Sequence, residues 1–366
     1  MASRTPARSL IIARALRRGA GIGRSRPREL PRRILVAHHL LLGDTLMLTP
    51  LLAKLRERYP QAEIVMSTPR AFVPLYQHRP YGVTAVPYDL RDRDTVRALL
   101  SQPAFDLAVV PGDNWHSWLA RAAGARWIVA FAGDRPAYKN WPVDEPVPYP
   151  DRPGAWGDLV AGLVPGPAPA PYRPEQWPAP DCRPFDLPPS PYAVLHIGAR
   201  NSLRLWGAER WRELAAYLAG RGLTVAWSGG PGEEKYVEQV EPGMPHSYVG
   251  RLDLAQLFRL QREARLLVCA DTGVAHLGRL AGVPTVTLFG PGSAVLFGAG
   301  EFWRDSPYRA VTIADFPCRD QRRLFKRDIP WMRHCSRPPS ECAANRCMQA
   351  ITLGQVISAL DELSVY

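Results

Sequence analysis

The sequence predicts an α/β protein with two doubly wound parallel domains that face one cleft. Short apolar segments alternate with segments of helical period in two separate series along the chain. Between the two series, residues 142–191 hold 16 of the 38 prolines. Because proline blocks helix continuation, this stretch is typical of a semi-rigid connector between two domains.

The first series begins after a basic N-terminal segment. Its strands are short apolar runs, and its helices carry leucines on a helical period, as in Leu48, Leu51, Leu52 and Leu55. The expected elements are, in order, strand 34–37, helix 43–58, strands 62–66 and 83–86, helix 91–100, strand 105–110, helix 115–123, strand 126–131 and helix 154–163.

The second series repeats this alternation and ends in a helix for which Thr352 is a plausible N-cap. The expected elements are strand 192–197, helix 208–219, strand 223–228, helices 233–240 and 253–262, strand 266–270, a helix from Gly273, a strand up to Gly290 and helix 352–363. The predicted organisation is a tail, 1–33, a first domain, 34–165, a linker, 166–190, a second domain, 191–345, and a terminal helix, 346–366.

The formal net charge of +12 comes mostly from residues 1–33, which hold ten arginines and one glutamate. This composition predicts a solvated, disordered arm. A second interpretation is attraction to anionic lipid, since Leu10-Ile-Ile and the arginines could form an amphipathic element. Nucleic-acid binding is disfavoured because the segment lacks interleaved aromatic residues. No apolar run is long enough to span a bilayer, so we expect a cytoplasmic protein, peripheral on the inner membrane at most.

Four of the six cysteines, Cys318, Cys335, Cys342 and Cys347, lie in the last 50 residues. A structural disulfide is not expected in a cytoplasmic protein. Four cysteines could bind structural zinc or iron, but their spacings lack the paired C-x-x-C of common zinc sites. The sequence is therefore compatible with a structural metal site at these cysteines but does not require one.

A polar turn joins a buried strand to a helix at Cys269-Ala-Asp-Thr-Gly-Val-Ala-His. Asp271, Thr272 and Gly273 stand where the helix starts, so unpaired N–H groups and the helix dipole favour an anion there. His276 follows in the first turn and could reach the same anion, although a core histidine is an equally good interpretation. The pattern predicts a phosphate-binding turn.

Two further loops follow strands of the second domain. In the loop after His196, small and polar residues, Ser202 among them, could let the backbone approach a phosphate, and Arg204 could supply charge. The second loop, Gly229-Gly-Pro-Gly, precedes Glu233, which could hydrogen-bond a ribose or stabilise the helix dipole.

Asp44 follows the first strand of the first domain, beside a helix start. A carboxylate at this place can act as an N-cap or as a general base, and its position alone favours the cap. The nearby His38 and His39 are more typical of packing or hydrogen-bonding residues than of catalysts.

Taken in order, these stretches resemble glycosyltransferase family 9, the ADP-heptose heptosyltransferases of bacterial surface polysaccharides. The matching pieces span the chain from Arg33 onward and are Leu42-Gly-Asp-Thr with Thr49-Pro-Leu-Leu, His196-Ile-Gly-Ala with Arg204-Leu-Trp and Trp211, Asp271-Thr-Gly-Val-Ala-His, Leu288-Phe-Gly-Pro and Cys347-Met348.

The resemblance implies a GT-B architecture of two Rossmann-like domains and inverting transfer that needs no metal. It implies a nucleotide-sugar donor, ADP-heptose above all, and a glycan or glycolipid acceptor such as lipopolysaccharide core. By this resemblance, Asp44 matches the family's proposed catalytic base. Arg204 stands where the family has a Lys that contacts the donor phosphate, and Asp271 matches a residue that binds donor sugar hydroxyls. Thr272, Gly273 and His276 match the phosphate-binding turn.

Some residues depart from the family pattern, and these departures bear on the identity of the donor more than on the fold. Arginine stands at position 204, and Ile197 and Gly207 occupy positions where the family often has proline. Two alternatives stay open at this point. One is a sugar-nucleotide epimerase of the same fold, and the other is a degenerate, non-catalytic transferase that acts as a binding protein.

Overall fold

The computed structural model describes residues 4–23, 25–27, 29–240, 242–342 and 344–365. The chain divides into two compact units. The first comprises Met1–Ala170 and Arg322–Trp331, and the second comprises Pro171–Gln321 and Met332–Tyr366. The prediction placed one boundary in the linker 166–190 and did not foresee that residues 322–331, here called the returning segment, rejoin the first unit.

The first unit contains a six-stranded parallel sheet in the order β3-β2-β1-β4-β5-β6. Its strands are β1 (Arg33–Val36), β2 (Glu63–Thr68), β3 (Val83–Pro87), β4 (Leu107–Val110), β5 (Trp127–Phe131) and β6 (Glu145–Val147). Its helices are α1 (Thr5–Arg17), α2 (Leu42–Leu46), α3 (Thr49–Arg58), α4 (Arg93–Leu100), α5 (Trp115–Ala123) and α6 (Trp156–Ala161). The central strands are buried along nearly their whole length, as parallel strands covered on both faces are.

The second unit contains a five-stranded parallel sheet in the order β11-β10-β9-β7-β8. Its strands are β7 (Tyr192–His196), β8 (Thr224–Ser228), β9 (Leu266–Ala270), β10 (Thr285–Phe289) and β11 (Tyr308–Thr312). Its helices are α7 (Ala208–Gly220), α8 (Glu234–Val240), α9 (Leu254–Arg262), α10 (Gly273–Ala281), α11 (Ala294–Phe297), α12 (Arg346–Gln349) and α13 (Leu353–Glu362). The two parallel sheets confirm the predicted α/β class.

Helix boundaries in the second unit follow side-chain caps that are visible in the sequence. Asp253 accepts a hydrogen bond from the Gln256 N–H and begins α9, and Thr352 accepts one from Gln355 and begins α13. In both helices the Gln side chain bonds back to the cap residue, which completes a capping box. The predicted N-cap role of Thr352 is therefore confirmed.

The N-terminal segment contradicts the expectation of a disordered arm. Residues 5–17 form α1, whose Ala7, Ile11 and Ala15 are buried in one apolar cluster with residues of α5. Small apolar residues at helical spacing let α1 lie close to α5, and this burial outweighs the repulsion among arginines that face solvent. None of the helices within the described ranges has the length and apolar content that crossing a bilayer requires.

Candidate functional site

The site elements of the second unit meet where the strand order of its sheet reverses. β7 pairs with both β8 and β9, with His196 opposite Cys269 in the register. The loops that leave β7 and β9 at their carboxyl ends are therefore neighbours. In open α/β sheets ligands bind in the crevice at this switch point, so the loop that carries Ser202 and Arg204 and the turn at Asp271 form the candidate donor site.

Arg204 and Asp271, 67 positions apart in the sequence, are in contact. The Arg204 guanidinium donates to the backbone oxygen of Asp271 and lies 3.5 Å from its carboxylate. Asp271 is buried, whereas the Arg204 side chain exposes 34% of its surface. Burial raises the pKa of the Asp271 carboxyl, and the nearby Arg204 and Arg279 oppose this rise. The pair thus places a partly solvent-exposed cation over a buried carboxylate.

The predicted turn at the start of α10 is present. Thr272 is the N-cap residue, and its hydroxyl accepts a hydrogen bond at 3.3 Å from the Val274 N–H. Gly273 is the first residue of the nine-residue helix, so the positive end of the helix dipole lies in this turn. Gly292 packs directly against the Asp271 carboxylate, where a Cβ would collide with Oδ2. The turn can receive an anion because it combines a helix N-terminus with the adjacent Arg204.

His276 is buried in α10, and its ring contacts Arg279 one turn further along the helix. Burial lowers the pKa of His276 well below its usual value, and Arg279 and Arg204 lower it further. Arg279 is itself buried, donates to the Gly298 backbone oxygen at 2.6 Å and lies over the rings of Trp303 and Tyr308. Arg279 was not among the predicted site residues, although its spacing of three from His276 puts both on one helix face.

Glu233 and Ser202 differ in how firmly they are held. The Glu233 carboxylate accepts a hydrogen bond at 2.5 Å from the Gly230 N–H and packs against Gly198, where a Cβ would collide with it. It therefore ties the Gly-rich turn after β8 to the loop after β7. Ser202 is exposed in a 3-10 turn over Ser202–Arg204, and Asn201 caps that turn by accepting from the Leu203 N–H.

In the first unit, Asp44 lies in the first turn of α2 and is half-buried. The structure corrects the N-cap interpretation, because the N-cap residue is Leu41 and Asp44 is the third residue of the helix. The predicted helix over 43–58 is divided into α2 and α3, and Pro50 in the first turn of α3 accounts for the restart. Asp44 thus lies inside the first helical turn that follows β1, not at the N-cap position that its place in the sequence suggested.

The neighbouring His38 has a structural role. Its backbone exchanges hydrogen bonds of 2.9 Å with the Ser67 hydroxyl, and its ring Nδ1 accepts a hydrogen bond at 3.3 Å from the Leu40 N–H. Burial lowers the pKa of His38 well below its usual value, with smaller contributions from His116 and His39. A neutral, hydrogen-bonded ring agrees with the prediction that His38 is a packing or hydrogen-bonding residue and not a catalyst.

A buried polar network that the sequence did not reveal supports the same edge of the first sheet. Lys139 bonds the Asp113 carboxylate and lies 3.4 Å from that of Asp134. Arg327, from the returning segment, donates to the Asn114 side chain at 2.8 Å and lies 4.0 Å from the Asp134 carboxylate. Asp113 could have been found by its place after β4, but Arg327 could not, because the sequence does not signal the return.

The four late cysteines are close enough to influence the pKa of one of them. Burial raises the pKa of the Cys347 thiol, and the thiols of Cys318, Cys335 and Cys342 contribute to that rise, so the four lie in one region of the second unit. Within the described residues, however, no three histidine, cysteine or acidic side chains converge well enough to hold a metal ion. Among the described residues, the structure thus shows no convergent ligand set for the structural zinc or iron that the sequence left open.

Comparisons with known proteins place this geometry in one family. The family model described as glycosyltransferase family 9 (heptosyltransferase) matches residues 95–312. A lipopolysaccharide heptosyltransferase 1 from Pseudomonas aeruginosa is 32% identical over 156 residues, which is 39% of this chain and 44% of that protein. The aligned part thus spans less than half the length of this curated relative.

Solved structures share the fold across almost the whole chain. E. coli heptosyltransferase WaaC with ADP superposes with a TM-score of 0.67 at 17% identity, over 90% of this chain and 99% of that one. E. coli ADP-heptose lps heptosyltransferase II gives a TM-score of 0.66 at 18% identity, over 91% and 98%. These likenesses confirm the GT-B class of fold. Since the family model covers more than half of the chain, the protein belongs to glycosyltransferase family 9, the heptosyltransferase family.

Proposed function

We propose that this protein transfers a sugar, heptose by preference, from an ADP-sugar to a hydroxyl of a bacterial surface glycan such as lipopolysaccharide core. The observation that carries the proposal is the contact of Arg204 with Asp271 at the N-terminus of α10, at the switch point of the second sheet. The names of the relatives, lipopolysaccharide heptosyltransferase 1 and ADP-heptose lps heptosyltransferase II, support the choice of donor and acceptor.

In this proposal the second unit binds the donor. The diphosphate lies at the first turn of α10, where Thr272, Gly273 and the helix dipole stabilise negative charge. Arg204 offers a guanidinium that can bind two phosphate oxygens at once. His276 adds a neutral N–H donor, Asp271 accepts from donor sugar hydroxyls, and Ser202 and Glu233 line the neighbouring loops.

The first unit carries the acceptor and the base. Asp44 takes the proton of the acceptor hydroxyl as its oxygen attacks the anomeric carbon. The bond from that carbon to the diphosphate breaks on the opposite face, so a single displacement inverts the configuration. The nucleoside diphosphate leaves with the electron pair. Arg204 and the α10 N-terminus stabilise the charge that develops on it, without a required metal ion.

The donor is tested first by thermal-shift titration of the full chain with ADP, UDP, GDP and NAD, each with and without Mg²⁺. A ligand that binds the folded state stabilises it by about 2.7 kcal/mol at one hundred times its dissociation constant. We expect ADP alone to raise Tm, equally with and without Mg²⁺. Preference for UDP or GDP would overturn the donor assignment, and a requirement for Mg²⁺ would overturn metal independence.

Turnover then separates this proposal from its two alternatives. With ADP-heptose and a panel of core-glycan acceptors, a transferase releases ADP only when an acceptor is present. A sugar-nucleotide epimerase would instead convert the donor with no acceptor at all. Binding of the donor without turnover on every acceptor would support a non-catalytic binding protein. Retention of Asp44, Asp271 and His276 favours the transferase.

We also propose peripheral contact with an anionic membrane, such as the inner face of the inner membrane. Leu10 and Leu16 of α1 are 45% and 53% exposed, and arginines lie near them on the same helix. Such a helix can bury leucines in the headgroup region while its arginines attract acidic lipid. Sedimentation with phosphatidylglycerol vesicles but not with phosphatidylcholine vesicles is expected, and Leu10→Ser with Leu16→Ser should abolish it. Equal recovery with both vesicles would contradict this proposal.

A further inference from the structure

A cavity of about 520 Å³ opens at the carboxyl edge of the first sheet. Its walls come from the loops after β1, β3, β4 and β5, together with the returning segment and the start of α1. β1 pairs with β4 at the point where the strand order reverses, so the cavity occupies the switch point of this sheet. Its volume is in the range of small-molecule sites and suits one or two sugar rings.

The walls are aromatic and cationic. Tyr88 lies between His39 and His116 with ring centroids 6.0 Å apart on each side, and Trp115 and Tyr138 also line the space. Burial lowers the pKa of His116 to about 4, so this ring is neutral at pH 7. Flat apolar ring faces of this kind can pack against the C–H faces of a sugar.

The charges that line the cavity do not cancel. Lys139 is bonded to Asp113 and close to the buried Asp134, so its charge is already balanced. The Asp89 carboxylate accepts a hydrogen bond from the Arg91 N–H. Besides the negative Asp89, three more positively charged side chains line the cavity, Arg4, Arg8 and Lys326. The open part of the cavity therefore carries a net positive charge.

Two of these cations come from α1 and its N-cap residue Arg4, outside the strand-and-helix series that builds the sheet. The N-cap residue Arg4, whose backbone is helical, and Arg8 of α1 lie on the same side as the buried Ile11 and Ala15, since the spacing is four, three and four residues. Arg14 fixes the helix further by donating to the Leu100 backbone oxygen at 2.7 Å. The buried end of this face thus anchors α1 to the first unit, and the other end presents two arginines to the cavity.

The Arg8 guanidinium lies over the Trp115 ring, 5.2 Å from its centroid. Stacking on an aromatic face orients a guanidinium and leaves its N–H groups free at the edge. Within the described residues neither Arg4 nor Arg8 forms an ion pair with an acidic side chain. Both side chains are exposed, so a ligand can reach them.

We propose that α1 forms one wall of the acceptor site and that Arg4 and Arg8 bind an anionic group of the acceptor, a carboxylate or a phosphate. They act as specificity-determining residues, because an acceptor without this group loses their charge-assisted hydrogen bonds. The inference rests on the proposed function, since it assigns the cavity of the first unit to the acceptor.

Binding to the full chain can be measured by calorimetry at low salt with glucuronate, glucose 6-phosphate and glucose as probes. We expect one charged sugar to bind at least about tenfold more tightly than glucose, and high salt to remove the difference. The better of the two charged probes identifies carboxylate or phosphate as the preferred group. Arg4→Ala and Arg8→Ala should each weaken its binding about tenfold.

Arg17→Ala is the matched control, because Arg17 is an exposed arginine of the same helix that does not line the cavity. It changes the net charge equally and should leave binding of the charged sugar unchanged. Equal binding of all three sugars, or an equal loss in the Arg17 variant, would overturn the inference. ADP titration of the same samples distinguishes this inference from the proposed function. Normal ADP binding without a preference for charged sugars would contradict the role of Arg4 and Arg8 but not the proposed transferase function.

Discussion

Arg279 donates a hydrogen bond from Nη2 to Nδ1 of His276, one turn earlier in α10. A guanidinium has only donors, so Nδ1 must be the acceptor and the single hydrogen of the neutral ring stays on Nε2. Because burial and two arginines also keep the pKa of His276 well below its usual value, this tautomer persists across the physiological range. Arg279 thereby makes His276 a neutral hydrogen-bond donor.

This arrangement predicts how substitutions of His276 affect donor binding. His276→Ala should weaken ADP binding by about tenfold, as loss of one hydrogen bond to a charged group does. His276→Gln retains an N–H donor and should recover part of that affinity. Between pH 6 and 9 the ratio of wild-type to alanine-variant affinity, measured by calorimetry, should stay constant. A ratio that rises steeply as pH falls through 6.5 would show that the protonated ring is the one that binds.

Asp271 should show opposite effects on donor binding and on stability. Its buried carboxylate has a raised pKa, which means that burial disfavours the charge in the folded protein. Asp271→Asn removes that penalty, and the partly exposed Arg204 that loses its partner remains hydrated. We therefore expect Tm to stay equal or to rise while donor binding weakens. A large fall in Tm would show instead that the Arg204 contact holds the fold together.

The sequence predicted most of the second unit because its signals are local. The strand Leu266–Ala270 and the turn at Thr272 were found where the structure has them, since an apolar run and a capping residue determine them within a few positions. The contact of Arg204 with Asp271 could not be predicted from local patterns, because it depends on the order of the strands. The family resemblance identified both residues as site residues, but no sequence pattern indicated that they are in contact.

Local sequence patterns do not predict the structure where distant segments determine it. The arginines of α1 indicated a solvated arm, while the three small or apolar residues that anchor it, Ala7, Ile11 and Ala15, are too few to be conspicuous. Arg327 belongs by position to the second domain and is buried in the first unit. Neither arrangement leaves a local pattern, because the partner residues lie far away in the sequence, 86 positions for Arg14 and Leu100 and 215 for Arg327 and Gly112.

Arg327 is expected to stabilise the first unit strongly. It is 4% exposed and donates to the backbone oxygens of Ala132, Gly112 and Phe131 as well as to the Asn114 side chain. Arg327→Ala removes the guanidinium from all of these acceptors, and among the described residues only the Phe131 oxygen keeps another donor, the Asn114 side-chain N–H. The substitution should lower the free energy of unfolding by roughly 3 kcal/mol, since Lys139 still pairs with Asp134. Urea unfolding followed by tryptophan fluorescence measures this change.

Arg323→Ala is the control for that experiment, because Arg323 is exposed on the same returning segment. Its effect should stay within about 0.5 kcal/mol. Equal effects of the two substitutions would show that the burial of Arg327 contributes nothing specific to the first unit.

Asp44→Asn tests the proposed base. The amide is close in shape to the carboxylate but accepts no proton at neutral pH, so kcat should fall by roughly 10²–10⁴ if Asp44 is the base. The affinity for ADP should not change, because the candidate donor site lies in the second unit. Near-normal turnover with ADP-heptose would exclude the catalytic role. A loss of ADP binding would show that the substitution acts through the fold.

Buried histidines predict how stability depends on pH. Burial lowers the pKa of His116, in the first unit, and of His196, in the second, to about 4. An unfolded chain binds these protons near pH 6.5, so between about 6.5 and 4 it takes up protons that the folded protein does not. Each histidine then reduces the free energy of unfolding by up to about 1.4 kcal/mol per pH unit as pH falls, whereas above 6.5 it has no effect.

Thermal unfolding between pH 4 and 8 should therefore show a plateau of Tm above about 6.5 and a decline below it. In His196→Gln, which removes one of these groups, the decline should be shallower. His78→Gln is the control, because His78 is exposed, and it should retain the wild-type slope. A Tm that is constant down to pH 5, or identical slopes in the three proteins, would contradict the buried neutral histidines. The sign of the slope is itself diagnostic, because histidines stabilised as cations would make Tm rise as pH falls.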